Sequence, residues 1–83
     1  MEISGKIKII KATEEVSATF SKKQIVVTTS EQYPQDLPIE FVNANISKLD
    51  SFSVGQDVKV SINLRGSEWQ DKHYLSAQGW KIE

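Results

Sequence analysis

Residues 41–65 read FVNANISKLDSFSVGQDVKVSINLR, and GSEW follows at 66–69. An apolar strand end runs into a short helical segment, a glycine turn, an alternating strand and a loop that carries a tryptophan. Asn45 can cap the helix, with Ile46, Leu49 and either Phe52 or Val54 on its apolar side. Gly55 ends that segment. Val58, Val60, Ile62 and Leu64 then alternate with polar residues, the period of a strand with one face buried.

Outward from this stretch the same alternation marks the other strands. Residues 73–82 form the last one, with Gly79 as the expected bulge. Upstream, residues 37–42 form a strand that tolerates Pro38 near its start. Residues 31–35 form a turn around Tyr33-Pro34, where the proline holds Tyr33 extended. The β-branched run QIVVTT at 24–29 is a further strand. Residues 11–21 are polar and read as a long hairpin connection. In residues 3–10, Ile3, Gly5, Ile7 and Ile9 share one face, while Ser4, Lys6 and Lys8 share the other. Gly5 suggests a bulge or a close backbone crossing.

The order β-β-β-α-β-β is that of an all-β domain with one short helix, a five-stranded OB-fold Greek-key barrel occupying residues 1–83. An SH3-like barrel is the nearest competitor, but it does not usually place a helix before the fourth strand.

With 83 residues, the chain is one domain with a modest core and little room for a deep catalytic cleft. It has no cysteine, so neither a disulfide nor a thiolate metal site is available. No apolar run approaches a membrane span, and MEISGKIKII at the start lacks a signal-peptide layout. A cytoplasmic location is expected. The net charge of −1 argues against a strongly basic nucleic-acid binder, yet a local patch can still act.

The central stretch resembles the OB domain of bacterial single-stranded DNA-binding proteins. That family has an aromatic at the end of strand three, a helix, a glycine opening a G-x-x-V-x-[IV]-x-G-x-L-R strand, a basic loop with a tryptophan, then Asp and Tyr. Phe41, Gly55, Val58, Val60, Leu64, Arg65, Trp69, Asp71 and Tyr74 follow this pattern, with a shorter loop before Tyr74. The last residues, SEWQDKHYLSAQGWKIE, are also similar to a small family of OB-type domains from bacteria and phages that ends in Trp-Lys-Ile. The glycine in the middle of strand four is Ile62 here. The tryptophans of strands two and three have no counterpart, Gln35 or its neighbours standing where one would be. An acidic partner-recruiting tail is not expected after residue 83.

The resemblance implies single-stranded DNA binding in DNA replication, on strands two and three and the adjoining loops, with no cofactor. Bases stack on aromatic faces while cations track the phosphates. Trp69 lies in a polar turn, either as a stacking platform or folded back over the barrel. Phe41 matches the stacking aromatic by position, but it shares parity with Leu37 and Ile39, which points it to the core. Tyr74 is expected on the exposed face. Tyr33 supports the site or packs on its own turn, and Trp80 is expected in the core or closing the barrel. The cations are Lys22, Lys23, Arg65 and Lys72, of which Arg65 can fork onto phosphate beside Trp69.

His73 is the sole histidine, without metal-ligand spacing around it. No nucleophile–base constellation is present, so an enzyme is not expected. Single-stranded DNA, or RNA, is the expected partner. A homo-oligomer is expected from an open edge at the first strand. The alternative is an OB-type protein-interaction module, phage-encoded or bacterial, that binds no nucleic acid, as the acidic pI, the few aromatics and the lack of a basic stripe suggest.

Overall fold

The computed structural model describes residues 1–83, the side chain of Trp69 excepted. Its strands are β1 (Glu2–Ile10), β2 (Glu14–Ser17), β3 (Phe20–Thr29), β4 (Asp36–Val42), β5 (Asp57–Trp69) and β6 (Lys72–Ile82), with a short 3₁₀ helix (Asn43–Leu49) between β4 and β5. The sheet order is β1-β5-β6-β4-β3-β2, and an additional β1–β3 pairing closes five of the six strands into a ring. The fold is all-β with one short helix. All pairings are antiparallel except β4–β6, which is parallel and joined at the single bridge Glu40–Gln78.

The core forms where the alternating residues of the ring point inward. Ile7, Ile25, Val27, Ile39, Phe41, Val58, Val60 and Ile62 are buried, and Leu49 enters from the helix. Ile46 and Phe52 pack against this cluster, so the helix plugs one end of the ring. Val54 is 61 % exposed, which leaves Phe52 as the residue that closes that apolar side.

Several expectations need correction. Six strands form rather than five, because part of the supposed hairpin connection is β2, paired with β3. The helix is 3₁₀ rather than α, and Asn45 does not cap it; the N-cap is Val42, with no side-chain cap. Instead Asn43, at a left-handed φ of 49°, accepts the Ser21 N–H on its Oδ1 at 3.0 Å. In β1 the register shifts between Ile7 and Ile9, so Ile9 is exposed and Ile10 packs against the core. Gly5 serves the close crossing instead: a Cβ there would stand 2.1 Å from the Thr28 carbonyl oxygen. The open edge expected at β1 is largely closed: β1 pairs with β5 over residues 2–6 and with β3 over residues 5–10.

In β6 the irregularity falls at Trp80, which lies between the pairs Ser61–Lys81 and Ile62–Gly79 and has no partner of its own. Trp80 follows the inward Gly79 and stays out of the core at 47 % exposure, while the bulge brings Ile82 round to pack against the core. Its carbonyl accepts the Lys48 ammonium at 2.6 Å, tying β6 to the helix.

Candidate nucleic-acid interface

Beyond the ring, β5 and β6 continue as a two-stranded arm. β1 covers β5 only as far as Ile62, whose N–H donates to the Met1 carbonyl at 2.8 Å. From there β5 pairs with β6 alone, down to Trp69 opposite Lys72. The arm ends in a two-residue turn, Gln70-Asp71, with φ of 51° and 61°. Two successive positive φ values make a type I′ turn, whose twist matches that of the strands and locks their register.

That register sorts the arm's side chains into two faces. Ile62 and Gly79 point into the core, so Leu64, Ala77, Leu75, Glu68 and His73 continue the inward face. Asn63, Arg65, Ser67, Lys72, Tyr74, Ser76 and Gln78 occupy the outward face. Arg65 stands opposite Ser76, and Tyr74 opposite Ser67. Tyr74 is 49 % exposed, enough to offer one ring face to solvent. Arg65 Nη1 donates to Gln78 Oε1 at 3.2 Å, a neutral partner that orients the guanidinium and leaves its charge uncompensated. Among the described residues no carboxylate pairs with Arg65 or Lys72.

The structure therefore brings together three of the expected site residues: Arg65, Lys72 and Tyr74. Trp69 pairs through its backbone with Lys72, and its side chain lies outside the described residues. Tyr33 is 77 % exposed in the β3–β4 turn. The parallel register of β4 and β6 puts that turn at the same end of the molecule as the arm.

Phe41, Lys22 and Lys23 do not join this face. Phe41 is fully buried, with its ring packed over Gly79, so it is a core residue and offers no stacking surface. Lys22 lies opposite Val42, roughly 20 Å along the sheet from Tyr74 at strand rise. It stands between Glu14 Oε2 at 3.6 Å and Glu40 Oε1 at 3.9 Å, so its charge is largely offset. Lys23 is half-buried opposite Phe41.

On β1 and β4, Lys8 Nζ donates to Asp36 Oδ2 at 2.6 Å, and Thr28 Oγ1 donates to Asp36 Oδ1 at 2.7 Å. These bonds, the lysine's first, hold the Asp36 carboxyl below its ordinary value.

An apolar groove of about 360 Å³ opens on the inward side of the arm, between β4 and β6. Ile3, Leu37, Pro38, Leu64, Leu75 and Ala77 line it. Its cause is local. The Thr29 N–H donates to the Gln35 carbonyl, so the alternation of the ladder turns Pro38 away from β3 and toward β6. Proline has no N–H to donate there, and β4–β6 pairing stops at Glu40. Sequence reasoning missed this groove. Its signal was the parity of Leu64 and Leu75, which continue the core face past the last residue that the ring can bury.

Among the described residues, no helix is long and apolar enough to cross a membrane, and no group of three or more His, Asp or Glu side chains could hold a metal ion.

The chain belongs to the family described as a domain of unknown function (DUF3127), whose model matches residues 2–83. No curated protein matches it.

Proposed function

We propose that this domain binds single-stranded nucleic acid, DNA first, on the outward face of the β5–β6 arm. One observation carries the reading: Tyr74 lies between the cations Arg65 and Lys72 on a face from which the arm's carboxylates are absent, Glu68 lying on the opposite face and Asp71 in the turn. A base stacks on Tyr74 while the two cations meet the flanking phosphates. The Gln70-Asp71 turn and the exposed Tyr33 stand at the same end and extend the path. The closed ring with a helix before its fourth strand supports an OB-type barrel, and such barrels bind oligonucleotides beside this hairpin.

The role is binding without catalysis, in the cytoplasm, where single strands arise. So few uncompensated cations give modest affinity that falls steeply with salt. Anisotropy of a labelled oligo-dT at low salt tests the reading. Saturable binding that weakens in Tyr74→Ala and Arg65→Ala supports it, and no binding at tens of micromolar protein, on the order of a weak non-specific site, overturns it.

The apolar groove favours a second reading, a protein-interaction module that seats an apolar segment between β4 and β6. Loss of a protein partner in Leu75→Ser, with oligonucleotide affinity unchanged, would select that reading.

A further inference from the structure

The outer edge of β5 is unpaired along the arm. Across the two-residue turn, Trp69 and Lys72 form a hydrogen-bonded pair, so the odd-numbered residues of β5 bond to β6. The mutual Lys59–Glu83 bonds have the same phase. Leu64, Gly66 and Glu68 therefore turn their N–H and C=O groups away from β6. β1 occupies this edge through Ile62, and among the described residues no strand pairs with residues 63–69 beyond it. An open edge of this kind is a template for another strand, and it is usually blunted by lysine, proline or a bulge. The stretch NLRGSEW carries no lysine or proline, and the register irregularity of β5–β6 lies before it.

We propose that this edge pairs antiparallel with the same edge of a second copy, about a two-fold axis at Gly66. The open stretch is centred on that glycine, so it matches its own length when reversed: each turn ends where the second copy's β1 begins. Gly66 faces Gly66 of the second copy, and Leu64 faces Glu68. Each facing pair exchanges two N–H···O bonds, satisfying every edge group on both arms. On the outward face, Arg65 stands opposite Ser67, so no like charges meet directly. On the inward face, the two glycines leave a trough between the Leu75 side chains, which are 73 % exposed in one copy and lean into it from both sides. An isologous contact of this kind closes on itself and does not propagate.

The pairing deepens the proposed function and rests on it only for its consequence. It makes one four-stranded surface from two outward faces, with both Tyr74 rings and all four arm cations. The two Arg65 residues become diagonal neighbours, about 7–8 Å apart. Their repulsion opposes the dimer, and a phosphate bound between them relieves it. A single strand therefore tightens the dimer, and by linkage the dimer tightens the single strand.

Sedimentation without nucleic acid tests the pairing by itself. The contact is smaller than the ~1,200 Å² of a stable interface, so the dimer is weak and a series should extend to about 1 mM. The wild type is expected to pass from monomer to dimer across that series. Gly66→Pro is expected to remain monomeric with an unchanged circular dichroism spectrum, because the lost N–H points away from β6. A wild type that stays monomeric throughout, or a dimer that survives Gly66→Pro, overturns the proposal.

Amide exchange in the wild type needs no variant. Concentration-dependent protection at Leu64, Gly66 and Glu68 supports the pairing, and exchange at these amides that ignores concentration overturns it. Dimerisation without oligo-dT binding would sink the nucleic-acid function and leave the pairing standing.

Discussion

The Phe41 ring lies over the backbone of Gly79, so close that a Cβ on Gly79 would stand 2.3 Å from the ring's Cζ. β4 and β6 share only one bridge, at Glu40–Gln78, and this aromatic contact beside it seals the seam from inside. Gly79→Ala is expected to push the ring aside and destabilise the domain by about 1–3 kcal/mol, the usual cost of overpacking. Phe41→Ala should cost about 3–5 kcal/mol, the usual loss for a buried phenylalanine. Phe41→Leu in the Gly79→Ala background should recover part of the loss, because the two changes share one space. Urea unfolding of the wild type, Gly79→Ala, Phe41→Leu and the double variant measures this coupling, and strict additivity would contradict the contact.

The same contact separates Phe41 from the binding face. Tyr74→Ala is expected to weaken oligo-dT binding about fivefold to 150-fold, the equivalent of one stacked base at ~1–3 kcal/mol. Its unfolding midpoint should barely move, since Tyr74 is half-exposed on a two-stranded arm. Phe41→Leu should show the opposite pattern, with lower stability and unchanged affinity wherever the protein remains folded. Anisotropy titrations beside thermal melts distinguish the two. Equal losses of affinity in both variants would mean that the arm is not the site.

Much of this arrangement was legible because alternation and burial coincide. Val58, Val60 and Ile62 read as an inward face and are one. Leu64 obeys the same parity and yet is 50 % exposed, because the ring ends before it while the strand continues. Alternation gives a side chain's face but not whether anything covers that face. β2 was illegible for the complementary reason: Glu14, Glu15, Val16 and Ser17 are all exposed, and its pairing with β3 buries no apolar face that alternation could reveal. Trp80 was misplaced because one unpaired residue reverses parity, and sequence alone put the bulge at Gly79. At the site, charge compensation was the missing knowledge. Lys22 looked available, but its neighbours Glu14 and Glu40 arrive from two other strands.

Asp36 sets a small acid sensitivity. Its carboxyl, held by Lys8 and Thr28, titrates below the ordinary 3.8 in the folded protein. A folded value lower than the unfolded one means that ionised Asp36 favours the fold above that range. The contribution is lost as pH falls through the lowered value. The pair is about half exposed, at 53 % and 46 %, so the effect is slight and salt-sensitive. Asp36→Asn is expected to melt somewhat below the wild type at pH 7, and the gap should close as the solution is acidified. A gap that stays constant down to about pH 2 would rule out this carboxylate as its source.

The arm's turn retains strain that a simple replacement would remove. Gln70 and Asp71 hold φ of 51° and 61°, a conformation in which a long side chain such as that of Gln70 is disfavoured. Asn-Gly is the pair that a type I′ turn prefers. The double change Gln70→Asn, Asp71→Gly should therefore stabilise the hairpin by about 1 kcal/mol, the scale of an unstrained turn. It also removes the acid that precedes Lys72 in the chain, so oligo-dT affinity should rise modestly and its salt dependence should steepen. Thermal melts and titrations at two salt concentrations check both outcomes. If stability rises while affinity falls, Asp71 takes part in binding, and the outward face extends around the tip of the arm rather than ending at Lys72.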